Sequence, residues 1–249
     1  MKLVAVGCSF LDMCKKKTLE DGTIQGTYSD FPKGTGNWGY HLSKLLKLDY
    51  LDYGRSGYSN EYMWRKSIEI VLSEKNIEDL FFVVGWTDSY RFEFYAELEG
   101  KFQTYYASHF LEQRKTKHLV KFYSFYQYWI RTLNYQITLR NFFKEYNIKY
   151  VFFDALAGPE TASIEYIESA FNNKKFEKLY LLGKENIYTI TRLIKEKNKS
   201  NFMEEVQQLF LENDKKYFGK DGYKGHPSQL GHEKWSDVIF KYIEENKIL

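Results

Sequence analysis

Ser9, His226 and Asp221 are the residues whose types and placing could do chemistry together. A serine hydroxyl is a poor nucleophile at neutral pH. It reacts when a neighbouring base takes its proton, and that base is usually histidine. Ser9 follows directly on the apolar run Leu3-Val4-Ala5-Val6-Gly7. His226 lies in Asp221-Gly222-Tyr223-Lys224-Gly225-His226-Pro227-Ser228, where two glycines free the backbone and Pro227-Ser228 opens a final helix. The loop would leave His226 anchored but exposed. Asp221, five residues upstream, could orient the imidazole as the third member of a triad. The chemistry of such a set is acyl transfer.

These residues need a frame. Leu3 to Gly7 reads as a short buried strand, and residues 8–36 as a long loop. Helical spacing follows over 38–48, then a strand over 49–53 that ends in Gly54-Arg55-Ser56-Gly57. Residues 59–74 read as helix and 80–84 as a third strand ending at Gly85. A long helix, or two, spans 119–146, a fourth strand 150–153, and a last helix starts near Gln229. Strands that are continuous apolar runs, alternating with helices, predict an α/β protein with a mainly parallel central sheet covered on both faces. Ligands in such folds bind at the carboxyl ends of the strands. Three strand ends carry polar, glycine-containing turns there: Gly7-Cys8-Ser9, Gly54-Arg55-Ser56-Gly57 and Gly85-Trp86-Thr87-Asp88.

At these turns the chain resembles the SGNH/GDSL hydrolases. Gly7-Cys8-Ser9-Phe10 is similar to the family's first block, Gly-Asp-Ser. Asp52-Tyr53-Gly54-Arg55-Ser56-Gly57 resembles the second, Asn-x-Gly-x-Ser-Gly, and Gly85-Trp86-Thr87-Asp88 the third, Gly-x-Asn-Asp. His226-Pro227-Ser228-Gln229-Leu230-Gly231-His232 resembles the last, His-Pro-Ser-x-x-Gly-His, the most specific of the four. All four blocks occur in the family's order.

The resemblance implies a three-layer α/β/α fold with a flavodoxin-like sheet, and a serine esterase removing an acyl group, such as acetyl, from a carbohydrate or other small ester. Ser9 would be the nucleophile and an oxyanion donor through its own N–H. Gly57 would supply a second backbone donor and Thr87 a third donor, from a hydroxyl where the family has an asparagine amide. His226 would be general base and then acid. Asp221 would replace the family's acid, whose usual place, three residues before the histidine, holds Tyr223. Asp88 would bond a neighbouring loop, and Arg91 and Glu93 would be polar contacts beside the site. The family uses no metal or cofactor. The alternative reading is a scaffold that lost catalysis and binds a ligand or builds an assembly such as a virion, and Thr87 and Tyr223 feed it. A nucleotide-binding domain is disfavoured, because no Gly-x-Gly-x-x-Gly run follows the first strand.

Composition bounds the rest. The chain has 249 residues, enough for one large domain, expected over 1–249. Lys+Arg 36 against Asp+Glu 33 gives a net charge of +3, which points away from a nucleic-acid or membrane-surface partner. The two cysteines, Cys8 and Cys14, exclude a disulfide scaffold, and no Cys/His cluster has zinc-site spacing. No stretch approaches the ~20 apolar residues of a membrane span, and the first apolar run is too short for a signal peptide. The expectation is a cytoplasmic protein; a virion component would look the same. Aromatic residues make up 19% of the chain. They crowd residues 89–127, so a helical insertion is expected at about 89–146, part of it over the site and most of its rings in a core.

Overall fold

The computed structural model describes residues 1–8, 11, 16–18, 24–26, 36–87, 91–106, 125–155, 202–203 and 229–249. Among these residues five parallel strands form the sheet: β1 (Lys2–Gly7), β4 (Asp49–Gly54), β5 (Leu80–Trp86), β8 (Lys149–Asp154) and β9 (Phe202–Met203). Two short strands, β2 (Lys16–Thr18) and β3 (Ile24–Gly26), add an antiparallel edge beyond β4. The spatial order is β2-β3-β4-β1-β5-β8-β9. Counting the parallel strands along the chain, that order is 2-1-3-4-5. It is a doubly wound sheet whose direction of winding reverses between β1 and β5. The expected α/β class with a mainly parallel sheet is therefore what the chain adopts.

Apolar continuity explains why β1 and β5 are central. All seven residues of β5, Leu-Phe-Phe-Val-Val-Gly-Trp, are buried, because side chains alternate between two covered faces. One face is covered by α1 (Trp38–Leu46) and α4 (Gln229–Glu245), the other by α2 (Asn60–Ser73) and α3 (Phe125–Glu145). On the first face Phe153 of β8 meets Trp38 at 5.1 Å and Trp235 at 5.3 Å between ring centres. On the second, Phe143 of α3 meets Phe82 at 4.7 Å, and Trp86 meets Phe152 edge-on at 5.3 Å. Many of the aromatic residues thus line the two layers between sheet and helices.

Residues 8–36 contain β2 and β3 where the sequence reads as loop. The larger correction concerns the expected helical insertion at 89–146. Residues 91–106 are an antiparallel hairpin, β6 (Arg91–Ala96) and β7 (Lys101–Tyr106), joined through a turn in which Gly100 takes φ 62°. Among the described residues of that span the α-helix is 125–145, and α3 lies between β5 and β8 in the chain and covers the sheet. Phe92 and Glu93, adjacent and so on opposite faces of β6, are both buried where the hairpin runs beside α2, and aromatic rings favour a pleated surface. Among the described residues no helix is long and apolar enough to cross a membrane.

Candidate functional site

The carboxyl ends of β1, β4 and β5 form one rim, at the point where the winding reverses. Gly7 and Gly54 are direct partners in the β1–β4 ladder, and Arg55 N–H donates to Gly7 O at 2.9 Å just beyond it. Past β1, Leu11 N–H donates to Cys8 O at 2.9 Å. Both residues are buried. Leu11 lies so close to β4 that a Cβ on Gly54 would stand 2.6 Å from Leu11 Cβ and 2.8 Å from its carbonyl carbon. Asn37 Nδ2 donates to Leu11 O at 2.6 Å. The residues on either side of the Ser9-Phe10 pair are therefore fixed to the rim and to each other.

Asp52 braces the same corner. Its side chain is fully buried; Oδ2 accepts from Asn37 Nδ2 at 3.0 Å and Oδ1 from Gly54 N–H at 2.6 Å. Asn37 Oδ1 accepts from Tyr50 Oη at 2.8 Å and from Tyr40 N–H at 2.9 Å, the second bond capping α1. A buried carboxylate is tolerated when donors surround it. These bonds orient the turns at the ends of β1 and β4.

Gly57 sits in the turn Arg55-Ser56-Gly57-Tyr58, closed by Tyr58 N–H to Arg55 O at 3.3 Å. Its φ of 81° at the third position is the geometry of a type II turn, which favours glycine there. The turn leads into α2, where Ser59 caps the helix by accepting from Tyr62 N–H at 3.4 Å. The next residue, Asn60, reaches across to the end of β5. Its Nδ2 donates to Thr87 O at 2.8 Å and to Thr132 Oγ1 at 3.2 Å, while Thr87 N–H donates to its Oδ1 at 2.7 Å. Thr87 is 6% exposed, and its hydroxyl has no hydrogen-bond partner among the described residues. At the rim the hydroxyl is therefore an unspent donor beside a helix N-terminus, which favours negative charge.

The hairpin reaches this rim from the side. Arg91 opens β6, half-buried. Glu93, two residues on, is buried and takes Arg65 of α2 at 3.1 Å; it also bonds the Ser59 hydroxyl and, at 3.4 Å, Thr104 Oγ1. Burial pushes the Glu93 carboxyl above the ordinary carboxylate range, and the Arg65 hydrogen bond and charge pull part of the way back. The Arg65 guanidinium in turn lies 3.9 Å over the Phe102 ring.

Of the residues expected to do chemistry, Gly57 and Thr87 stand at the rim and Arg91 beside it. Ser9, Asp88, Asp221 and His226 lie outside the described residues. Sequence reasoning assigned nothing to Asn60, Asn37 or His41. The first two could have been suspected only as capping-type residues placed just before or at the start of helical patterns. His232 is buried in α4, and Cys8 is buried as a small apolar side chain.

No family model matches the chain, and a comparison with curated proteins finds no match. Among solved structures, the chain is similar to a lipolytic protein of the G-D-S-L family from Desulfitobacterium hafniense. The two share 11% identity and a TM-score of 0.48 over 97% of this chain and 98% of the other. It is also similar to a catalytic mutant of an acetylxylan esterase from Geobacillus stearothermophilus, at 12% identity and a TM-score of 0.47 over 98% of this chain and 93% of that one. A G-D-S-L lipolytic protein from Veillonella parvula aligns at 11% identity and a TM-score of 0.43, over 98% and 96%.

Proposed function

We propose that the chain is a serine esterase of the SGNH type that removes an acyl group, such as acetyl, from a carbohydrate or other small ester. Ser9 Oγ attacks the ester carbonyl while His226 takes its proton. The carbonyl oxygen becomes an oxyanion, which the N–H groups of Ser9 and Gly57 and the Thr87 hydroxyl stabilise. His226 then protonates the leaving alcohol, and water repeats the sequence on the acyl-serine. Asp221 holds the imidazole in the productive tautomer. Asp88 bonds a neighbouring loop, and Arg91 contacts the substrate. The whole chain, 1–249, is one domain, with the hairpin as its insertion; it needs no metal or cofactor and works in the cytoplasm.

The observation that supports this most is the convergence of three motif-bearing strand ends at the reversal point, where the buried Thr87 hydroxyl has no partner among the described residues. The order of the four motifs along the chain supports it independently. The test is turnover of short-chain aryl and sugar acetates by wild type and Ser9→Ala, with fluorophosphonate labelling and thermal melts of both. Wild type should be labelled and active, and Ser9→Ala should be neither while melting within a few degrees of it. Equal activity in the two proteins overturns the mechanism. The second reading, a scaffold without catalysis, is favoured by the single short hydroxyl of Thr87 where an amide would reach further. A wild type that is neither labelled nor active decides for it.

A further inference from the structure

His41 belongs to none of the motifs, yet it meets the last of them. Gln229, three residues after His226 and the first residue of α4, bridges two helices that lie far apart in the chain. Its Oε1 accepts from Gly36 N–H at 3.2 Å. Its Nε2 donates to Glu233 Oε1 at 3.2 Å and lies 2.6 Å from His41 Nε2.

The chemistry of the partners fixes the protons. A backbone N–H can only donate, so the atom facing Gly36 must be the amide oxygen. An ionised carboxylate can only accept, so the atom facing Glu233 must be the amide nitrogen. The second amide hydrogen therefore points at His41 Nε2, which must present a lone pair. The imidazole is then neutral with its proton on Nδ1. An imidazolium would set N–H against N–H at 2.6 Å. Turning the amide over would relieve that clash only by setting its NH2 against Gly36 N–H and its oxygen against Glu233.

Resting on the esterase reading for His226, we infer that His41 and Gln229 form a latch. It fixes the first turn of α4 to the start of α1 while the imidazole is neutral, which makes both of them positioning residues for His226, three residues before Gln229. Among the described residues, the charged groups that act on the ring are Glu233 and Asp237, both on α4, and they favour the imidazolium. So does its hydrogen bond to the Gly36 backbone. On α1 itself the neighbours are the Tyr40 ring, 5.5 Å away, and Lys44, whose ammonium sits 5.3 Å over that ring. Burial of the imidazole opposes the acids and prevails, holding it below its ordinary 6.5, in agreement with the neutral form that the bonds require. The latch is closed above the His41 midpoint and released in acid.

The full chain tests this by nitrogen-15 NMR of the histidine rings, with His41→Gln assigning the His41 signals. At pH 7.5 His41 should show a bare Nε2 and a protonated Nδ1. On acidification its titration should coincide with shifts of the Gln229 side-chain amide and the Gly36 backbone amide. In Gln229→Leu the His41 midpoint should rise toward 6.5. With an aryl acetate, Gln229→Leu should lower kcat by about 10–100-fold with little change in KM, as expected for a displaced base. His41→Gln keeps an acceptor that cannot charge, so its kcat relative to wild type should climb as pH falls through the His41 midpoint. An Nε2-protonated ring at pH 7.5, or a His41 titration that leaves Gln229 and Gly36 unmoved, overturns the latch. Parallel acid limbs in wild type and His41→Gln overturn its link to His226. If wild type hydrolyses no ester, the esterase reading fails alone, and the NMR titration still decides whether the latch exists.

Discussion

Asn60 pairs with Thr87 as one more rung of a β-ladder, its amide standing in for a strand: 2.8 Å from Nδ2 to Thr87 O and 2.7 Å from Thr87 N to Oδ1. This rung sets where β5 ends and where the Thr87 hydroxyl sits. Asn60→Ala orphans a buried N–H and a buried C=O, each worth ~1–3 kcal/mol when unpaired. Asn60→Asp keeps the acceptor for Thr87 N–H but sets a carboxylate oxygen against Thr87 O. The new carboxyl should titrate above the ordinary range. The variant should then come nearest wild type in stability below pH 4 and fall away as pH rises. Denaturant unfolding at pH 4 and pH 7 checks both, and equal deficits at the two values would refute the assigned amide orientation.

Asp52→Asn should destabilise although it removes a buried charge. Asn37 turns its Nδ2 toward Leu11 O and its Oδ1 toward Tyr50 and Tyr40, so its amide cannot turn over to suit a new neighbour. The new amide can accept from Gly54 N–H only by setting its NH2 against Asn37 Nδ2. The cost should be ~1–3 kcal/mol. Tyr50→Phe, which deletes one bond and orphans only a shared acceptor, should cost about 0.5–1.5 kcal/mol. Urea melts of the two variants order them.

Glu93 should make stability fall as pH rises. Its folded carboxyl is raised above its unfolded value, so the contribution is fully present below about pH 4.5 and is lost as pH climbs through the folded value. Glu93→Gln removes that titration. The stability of wild type minus that of Glu93→Gln should therefore decrease from pH 4 to pH 7. An increase over that range would mean that the Arg65 contact outweighs burial.

Gly39→Ala should lower the melting temperature despite adding a better helix former. A Cβ there would stand 2.7 Å from Tyr50 Oη, 2.9 Å from Tyr50 Cε2 and 3.0 Å from Ala5 Cβ. Overpacking of ~1–3 kcal/mol should exceed the ~1 kcal/mol gained in helix propensity. Tyr50→Phe in the same chain removes the nearest of these contacts. The double variant should then be more stable than the sum of the single effects implies.

The sheet was legible because burial on both faces writes itself as uninterrupted apolar runs, as in Leu80 to Val84. The helices were legible from their period; α2 buries Met63, Ser67, Ile70 and Val71, which recur at helical spacing in the sequence. The hairpin was not. Its aromatic residues fit a helical core as well as a strand, and the informative residue, Glu93, acquires meaning only when Arg65 of α2 lies against it. The polar braces were hidden for another reason. Asn37 meets residues 15 and 26 positions away, and Gln229 meets His41 across 188, separations that leave no local pattern. The rim could be assembled from the order of the three strand-end motifs, since a parallel sheet brings its strand ends to one side whatever lies between them.

Trp38 has a consequence for how the molecule is made. Its ring packs against Trp235, with 6.2 Å between centres, and its carbonyl accepts from Ser236 Oγ, 198 residues later in the chain. A ribosome adding 5–20 residues per second needs roughly 10–40 s to cover that distance. During that interval the part of the α1 face that α4 will cover stays open, apolar and next to a growing sheet. The nascent chain therefore passes through a stage in which its first half has the strands but not the cover for one side. A chaperone that holds apolar helices should bind ribosome-stalled chains ending before residue 229 and release those in which α4 has emerged.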